Sequence, residues 1–198
     1  MSAAFLLRDN TRHRRDIEAA YLQAIRQAQS EILLAHAYFL PGLEFRHALI
    51  GAVQRGVRVV LLLQGKVEYR LEYYAVRALY GSLLDNGIEI YEYRKSFLHA
   101  KVAVVDGHWA TIGSSNIDPF SLLLSLEANL VVDNDAFGAD VARRLKETVN
   151  TDGRRIRAEG WHRQPAYLRV LSWLSYGLLR LMKGISGYER ENGRARSE

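Results

Sequence analysis

Two periods of apolar residues divide the chain into helices and strands. Ile17, Ala20, Tyr21, Ala24, Ile25 and Ala28 recur at intervals of three and four, which predicts a helix over 14–29 with one buried stripe. Residues 57–63 are valine and leucine almost without interruption, as in a central strand covered on both faces. Between these, residues 31–39 read as a strand stopped by Pro41 and Gly42, and 43–55 as a helix ending at Gly56. A short strand at 4–8 precedes the first helix, across the turn-prone Asp9, Asn10 and Thr11. After a polar loop at 64–70 come a helix at 71–84 and a strand at 88–93. Strands at 98–105 and 108–113 are joined by Asp106-Gly107, a strong hairpin signal. A last strand at 129–132 and a helix at 136–150 complete an α/β pattern: a layered mixed sheet flanked by helices.

Composition narrows the class. The chain is 198 residues long, 48% hydrophobic and 25% charged, as in an ordinary folded protein. With no cysteine, disulfides and thiolate metal sites are excluded. Six histidines without clustered ligand spacing point to no metal site. Ala3–Leu7 is too short for the apolar region of a signal peptide and runs into Arg8, Asp9 and Asn10.

The net charge of +5 has a location. Residues 1–150 balance 17 basic against 17 acidic side chains, whereas 151–198 hold 10 against 5. The division expected is therefore a folded domain over 1–150 and a basic, aromatic-rich tail over 151–198. From Trp161 to Lys183 the tail mixes Leu, Val, Tyr and Trp with Arg163, Arg169, Arg180 and Lys183. Only ten residues separate Arg169 from Arg180, too few for the roughly twenty of a bilayer span. An amphipathic helix in the membrane interface fits, with Trp161 and Trp173 at headgroup level. Packing of the same helix on protein is the alternative.

The chemistry is concentrated between Phe97 and Glu127. His99 and Lys101 are two apart on a predicted strand, so imidazole and ammonium share a face. Such a pair suits a phosphate ester: the ammonium neutralises non-bridging oxygens, and the imidazole attacks phosphorus or carries a proton. Asp106, at the hairpin turn, suits an orienting role. Gly113, Ser114 and Asn116 end the next strand with small groups that admit a phosphate closely. Glu127 has apolar neighbours, and a carboxylate buried beside an imidazole would fix its tautomer. Outside this stretch, His36, Tyr38 and Phe39 fit either a cleft wall or core packing, and the loop 66–70 fits a headgroup contact or a solvated turn.

The spacing His99-x-Lys101-x4-Asp106-x6-Gly113-Ser114-x-Asn116 resembles the HKD signature of the phospholipase D superfamily without a gap. The wider context, from FLLRDN through AHAYFLPG to the tail, resembles more narrowly the C-terminal HKD half of bacterial cardiolipin synthases of the B type. The resemblance implies that His99 is the nucleophile of a phosphohistidine intermediate. It implies that Lys101, Gly113, Ser114 and Asn116 hold the substrate phosphate, Asp106 supports them, and Glu127 pairs with the histidine. It implies a phosphatidyltransferase that joins two phosphatidylglycerol molecules into cardiolipin and releases glycerol, without metal or cofactor. The implied site is the cytoplasmic face of a bacterial inner membrane, with peripheral attachment. Family members bring two HKD motifs together and this chain carries one. A homodimer mate or a missing N-terminal half must supply the other. A metal-independent homodimeric nuclease, or a non-catalytic lipid-binding half that needs a partner HKD chain, is the rival expectation.

Overall fold

The computed structural model describes residues 2–9, 12–118 and 125–185, with side chains to 181. One eight-stranded mixed sheet runs through it. Its strands are β1 (Ser2–Arg8), β2 (Glu31–His36), β3 (Arg58–Gln64), β4 (Glu89–Tyr93), β5 (Lys101–Val105), β6 (Trp109–Gly113), β7 (Glu127–Asp133) and β8 (Gly153–Ile156), in the spatial order β1-β7-β6-β5-β2-β3-β4-β8. β2, β3 and β4 are parallel, and every other pairing is antiparallel. β3 sits inside the parallel set and is buried from Val59 to Gln64, which is why its apolar run does not alternate.

The larger core lies on one face, under α1 (Asp16–Gln27), α2 (Leu43–Gln54), α3 (Arg70–Ala78) and α4 (Tyr80–Asp85). α1 turns Ile17, Tyr21, Leu22 and Ile25 into this core, as its period requires. The opposite face is covered by α5 (Asp135–Asp152), whose Ala142 and Val149 meet Leu33, Val60, Leu62, Val104 and Ala110. The mixed sheet flanked by helices is the architecture the sequence implies.

Several boundaries shift for local reasons. The helix expected at 71–84 is two, because Leu79 closes a tighter turn onto Val76 and so sends both Leu79 and Tyr80 into the core. The strand expected from residue 98 begins at Lys101, since Leu98 N–H donates to the Gln64 side chain. β8 was not expected, as its GRRI sequence lacks a strand pattern. It pairs with β4, placing Arg155 over the Tyr91 ring, so the sheet takes an edge strand from beyond residue 150. α6 (Ala158–His162) follows, and α7 (Ala166–Ile185) packs along α3. Trp161 is not at an interface with lipid: it is buried against Tyr80, ring centroids 4.9 Å apart, with the Arg77 guanidinium over its ring. Residues 186–198 of the expected tail lie outside the described residues.

The β5–β6 hairpin is tied to the rest of the sheet by Asp106. This residue and Gly107 both adopt positive φ, as the Asp-Gly pair predicts. Oδ1 of Asp106 accepts from Ser30 N–H, Ser30 Oγ and Glu31 N–H at 2.8–2.9 Å, and Oδ2 from Gln29 N–H at 2.8 Å. Asp106 thereby fixes the passage from α1 into β2. Burial opposes its charge, but these backbone donors outweigh it and hold the carboxyl below its usual 3.8. Asp106→Asn tolerates the positive φ and loses the acceptor for Gln29, so stability should fall by about 1–2 kcal/mol. The gap from wild type should persist above pH 3.8 and close as the pH drops through the depressed folded-state value, as thermal unfolding across pH would read.

Candidate active site

The sequence-predicted residues converge, with one exception, at a single end of β5, β6 and β7. Lys101 opens β5 and lies directly across from His36 at the end of β2. Its stem is buried, the residue being 8% exposed, and its Nζ stands 3.4 Å from both ring nitrogens of the exposed His99. Burial lowers the ammonium below the usual lysine value of 10.5, while the negative charges of Glu127, Asp118 and Glu68 push back. A cation with a half-dry stem and a solvent-facing imidazole beside it attracts an anion strongly and presents it to a nucleophile.

His36 serves as backing for this pair. It is fully buried, its ring 6.4 Å from that of Phe39 and its Nε2 3.4 Å from the Tyr21 hydroxyl. Burial, reinforced by the charge of Lys101, pushes its pKa down to about 3, so it stays neutral. Of the two readings of His36 and Phe39, the structure selects packing; Tyr38 alone turns outward and donates to Glu68 at 2.6 Å.

Ser114 and Glu127 form the second wall. The Ser114 hydroxyl donates to Glu127 Oε2 and accepts from Ala128 N–H at 3.0 Å. Gly113 is required by what lies above it: a Cβ there would clash with Asn129 Oδ1 and Ala128 O. Asn129 is buried, donates to Thr111 Oγ1 at 3.2 Å and accepts from Ser115 N–H at 3.3 Å, locking the turn that carries Ser114 and Asn116. The buried Oδ1 of Asn116 has no hydrogen-bond partner among the described residues, so this amide keeps capacity for a further contact.

Two expectations are revised. Glu127 does not pair with His99; it bonds Ser114, because β6 lies between β7 and β5 in the sheet. Asp106 sits at the far end of β5, roughly 17 Å along the strand from Lys101, and acts only through the backbone it holds. Sequence reasoning overlooked Asn129 and Asp118, and reached Glu68 only as part of the loop 66–70. Asn129 left a signal, a polar residue where the alternation of β7 calls for an inward apolar one. Residues 119–124, inside the predicted stretch, lie outside the described residues.

A family model described as "Cardiolipin synthase, PLD-like domain" matches residues 21–150. The chain belongs to this PLD-like family. It is 39% identical over 186 residues to cardiolipin synthase B of Salmonella typhi, covering 94% of this chain and 45% of that protein. To cardiolipin synthase A of Yersinia pseudotuberculosis it is 33% identical over 160 residues, 81% of this chain and 33% of that one. The PLD-like chain thus spans under half the length of these relatives. Its fold is also that of Nuc, a phospholipase D family member from Salmonella typhimurium: TM-score 0.66, 21% identity, 79% of this chain and 98% of that chain. Phosphatidylserine synthase from Haemophilus influenzae shares it at TM-score 0.70 and 12% identity, over 92% of this chain and 46% of that chain.

The state of Lys101 gives the site a measurable alkaline limit. Tungstate, a phosphate mimic whose charge is constant above neutral pH, should bind while the ammonium persists and weaken as it deprotonates, with a midpoint below 10.5 in calorimetric titrations. Lys101→Met should remove both the binding and its pH dependence.

Proposed function

We propose that the chain is one half of a phospholipase D-type phosphatidyltransferase that condenses two phosphatidylglycerol molecules into cardiolipin and glycerol. The contact between His99 and Lys101, in a chain 39% identical to cardiolipin synthase B, carries this reading. Lys101, Ser114 and Asn116 would take the phosphodiester oxygens. A His99 ring nitrogen would attack phosphorus, breaking the P–O bond to glycerol, which leaves with a proton from the second motif's histidine. That histidine would then take the proton of a second phosphatidylglycerol hydroxyl, whose oxygen displaces His99 from phosphorus.

The second histidine has to come from another copy or from a further HKD half. The first test reads mass and product together. A sample whose native mass includes two HKD units should convert phosphatidylglycerol liposomes to cardiolipin and lose that activity at least about a thousandfold in His99→Gln. A folded two-motif assembly that makes no cardiolipin overturns the reading. DNA cleavage in chelator by the same sample would put a metal-independent nuclease in its place.

Peripheral attachment to the cytoplasmic face of the inner membrane belongs to the same proposal, and α7 supports it. Ser172, Ser175 and Leu179 face protein, whereas Tyr167, Val170, Leu171, Leu174, Leu178 and Leu181 form an exposed stripe at three- and four-residue spacing. Among the described residues no helix is long and apolar enough to cross a membrane. Arg169 and Arg180 are exposed on the same helix, where cations suit an anionic surface. Each buried leucine contributes about 1.5–3 kcal/mol, so Leu174→Glu with Leu178→Glu should cut co-sedimentation with phosphatidylglycerol vesicles at least about tenfold.

A further inference from the structure

A shallow cleft, open to solvent, lies beside the phosphate site, between the end of β3 and the start of α3. Tyr38, Tyr69 and Tyr73 furnish aromatic walls, the first two with ring centroids 6.2 Å apart. Glu68 and Glu72 stand at its side. Gln64 supplies the floor. Its Oε1 accepts from Leu98 N–H at 3.1 Å, which fixes the orientation of the amide, since only the oxygen can accept there. Nε2 is then a buried donor with no partner among the described residues. Gln64 is 9% exposed, and a buried amide donor of this kind calls for an acceptor from a ligand.

The charges suit a neutral ligand: Lys66 and Arg77 on the lining balance Glu68 and Glu72, and both cations are engaged, Arg77 with Glu92 and the Tyr73 hydroxyl and Lys66 with the Lys95 carbonyl. A purely apolar chain fits poorly against two carboxylates and an unsatisfied amide. Carboxylates that accept from hydroxyls, an amide that donates to one, and tyrosine faces that cover C–H groups suit a small neutral polyol. The cleft is also near enough to the phosphate site for Glu68 to act on the charge of Lys101.

We propose that this cleft is a polyol subsite, which holds the glycerol moiety of a phosphatidylglycerol headgroup, or free glycerol, while Lys101 holds the adjoining phosphate. The assignment rests on the transferase reading above. Gln64 makes it more than a resting place: the amide that meets the polyol also anchors Leu98, one residue before His99, so an occupied cleft steadies the segment that carries the nucleophile.

Binding can be read without catalysis. The Gln64 side-chain amide resonance of the folded chain should shift saturably in ¹H–¹⁵N NMR titrations with glycerol, with dihexanoyl phosphatidylglycerol, or with both, and not with 1-propanol. Saturation by glycerol alone identifies the free polyol as the occupant; saturation by the lipid alone identifies the headgroup. Tyr69→Ala and Glu72→Gln, both on the cleft wall and away from Lys101, should weaken that binding at least fivefold and leave tungstate affinity unchanged. No saturable shift, an equal shift with propanol, or undiminished binding in both variants overturns the subsite. Saturable binding in an assembly that transfers no phosphatidyl group leaves the subsite standing and removes the transferase. Transfer with unaltered headgroup affinity in the variants does the reverse.

Discussion

A lysine ammonium must stay charged at the end of a buried strand, and much of the surrounding structure answers that requirement. Lys101 is the first residue of β5, inserted between the parallel set and the antiparallel β6 and β7. Burial works against its charge, and three carboxylates from three separate segments oppose the loss. Glu127 comes from β7, Asp118 from the turn after β6, and Glu68 from the loop after β3. Had His36 behind it been protonated, two cations would compete across one strand pair; full burial keeps that ring neutral. The mixed topology thus places chemistry contributed by distant parts of the chain within reach of one nitrogen.

The same arrangement explains what could be read in advance. The stripe of α1, the apolar run of β3 and the Asp106-Gly107 hairpin are local patterns, and the structure reproduces each. The contact of His99 with Lys101 was legible from their spacing, even though His99 precedes the strand rather than lying in it. The partner of Glu127 was not legible, because it depends on which strand lies between β5 and β7. Nor was β8, whose arginines take strand geometry only because β4 presents an edge to pair with. Trp161 illustrates the same limit: an aromatic among arginines reads as an interface residue, and only the non-local approach of Tyr80 and Arg77 buries it. The cleft was hidden because its walls come from two loops and α3 and its floor from the polar end of an apolar strand.

α3 occupies a pivotal position between chemistry and surface. Tyr73 and Arg77 on one side of it line the cleft, while α7 lies along it. Arg77 itself lies over the rings of Tyr73, Tyr80 and Trp161 and reaches the fully buried Glu92. α7 is consequently seated on the same framework that shapes the cleft.

The two borders of the sheet differ in kind. β8 exposes Arg154 and Arg155 at one border, a charged margin that resists the approach of another strand. β1 forms the other, with Phe5 and Leu7 largely exposed and no arginine before Arg8. The two ends of the sheet therefore present opposite chemistry to solvent, apolar side chains at β1 and guanidinium groups at β8.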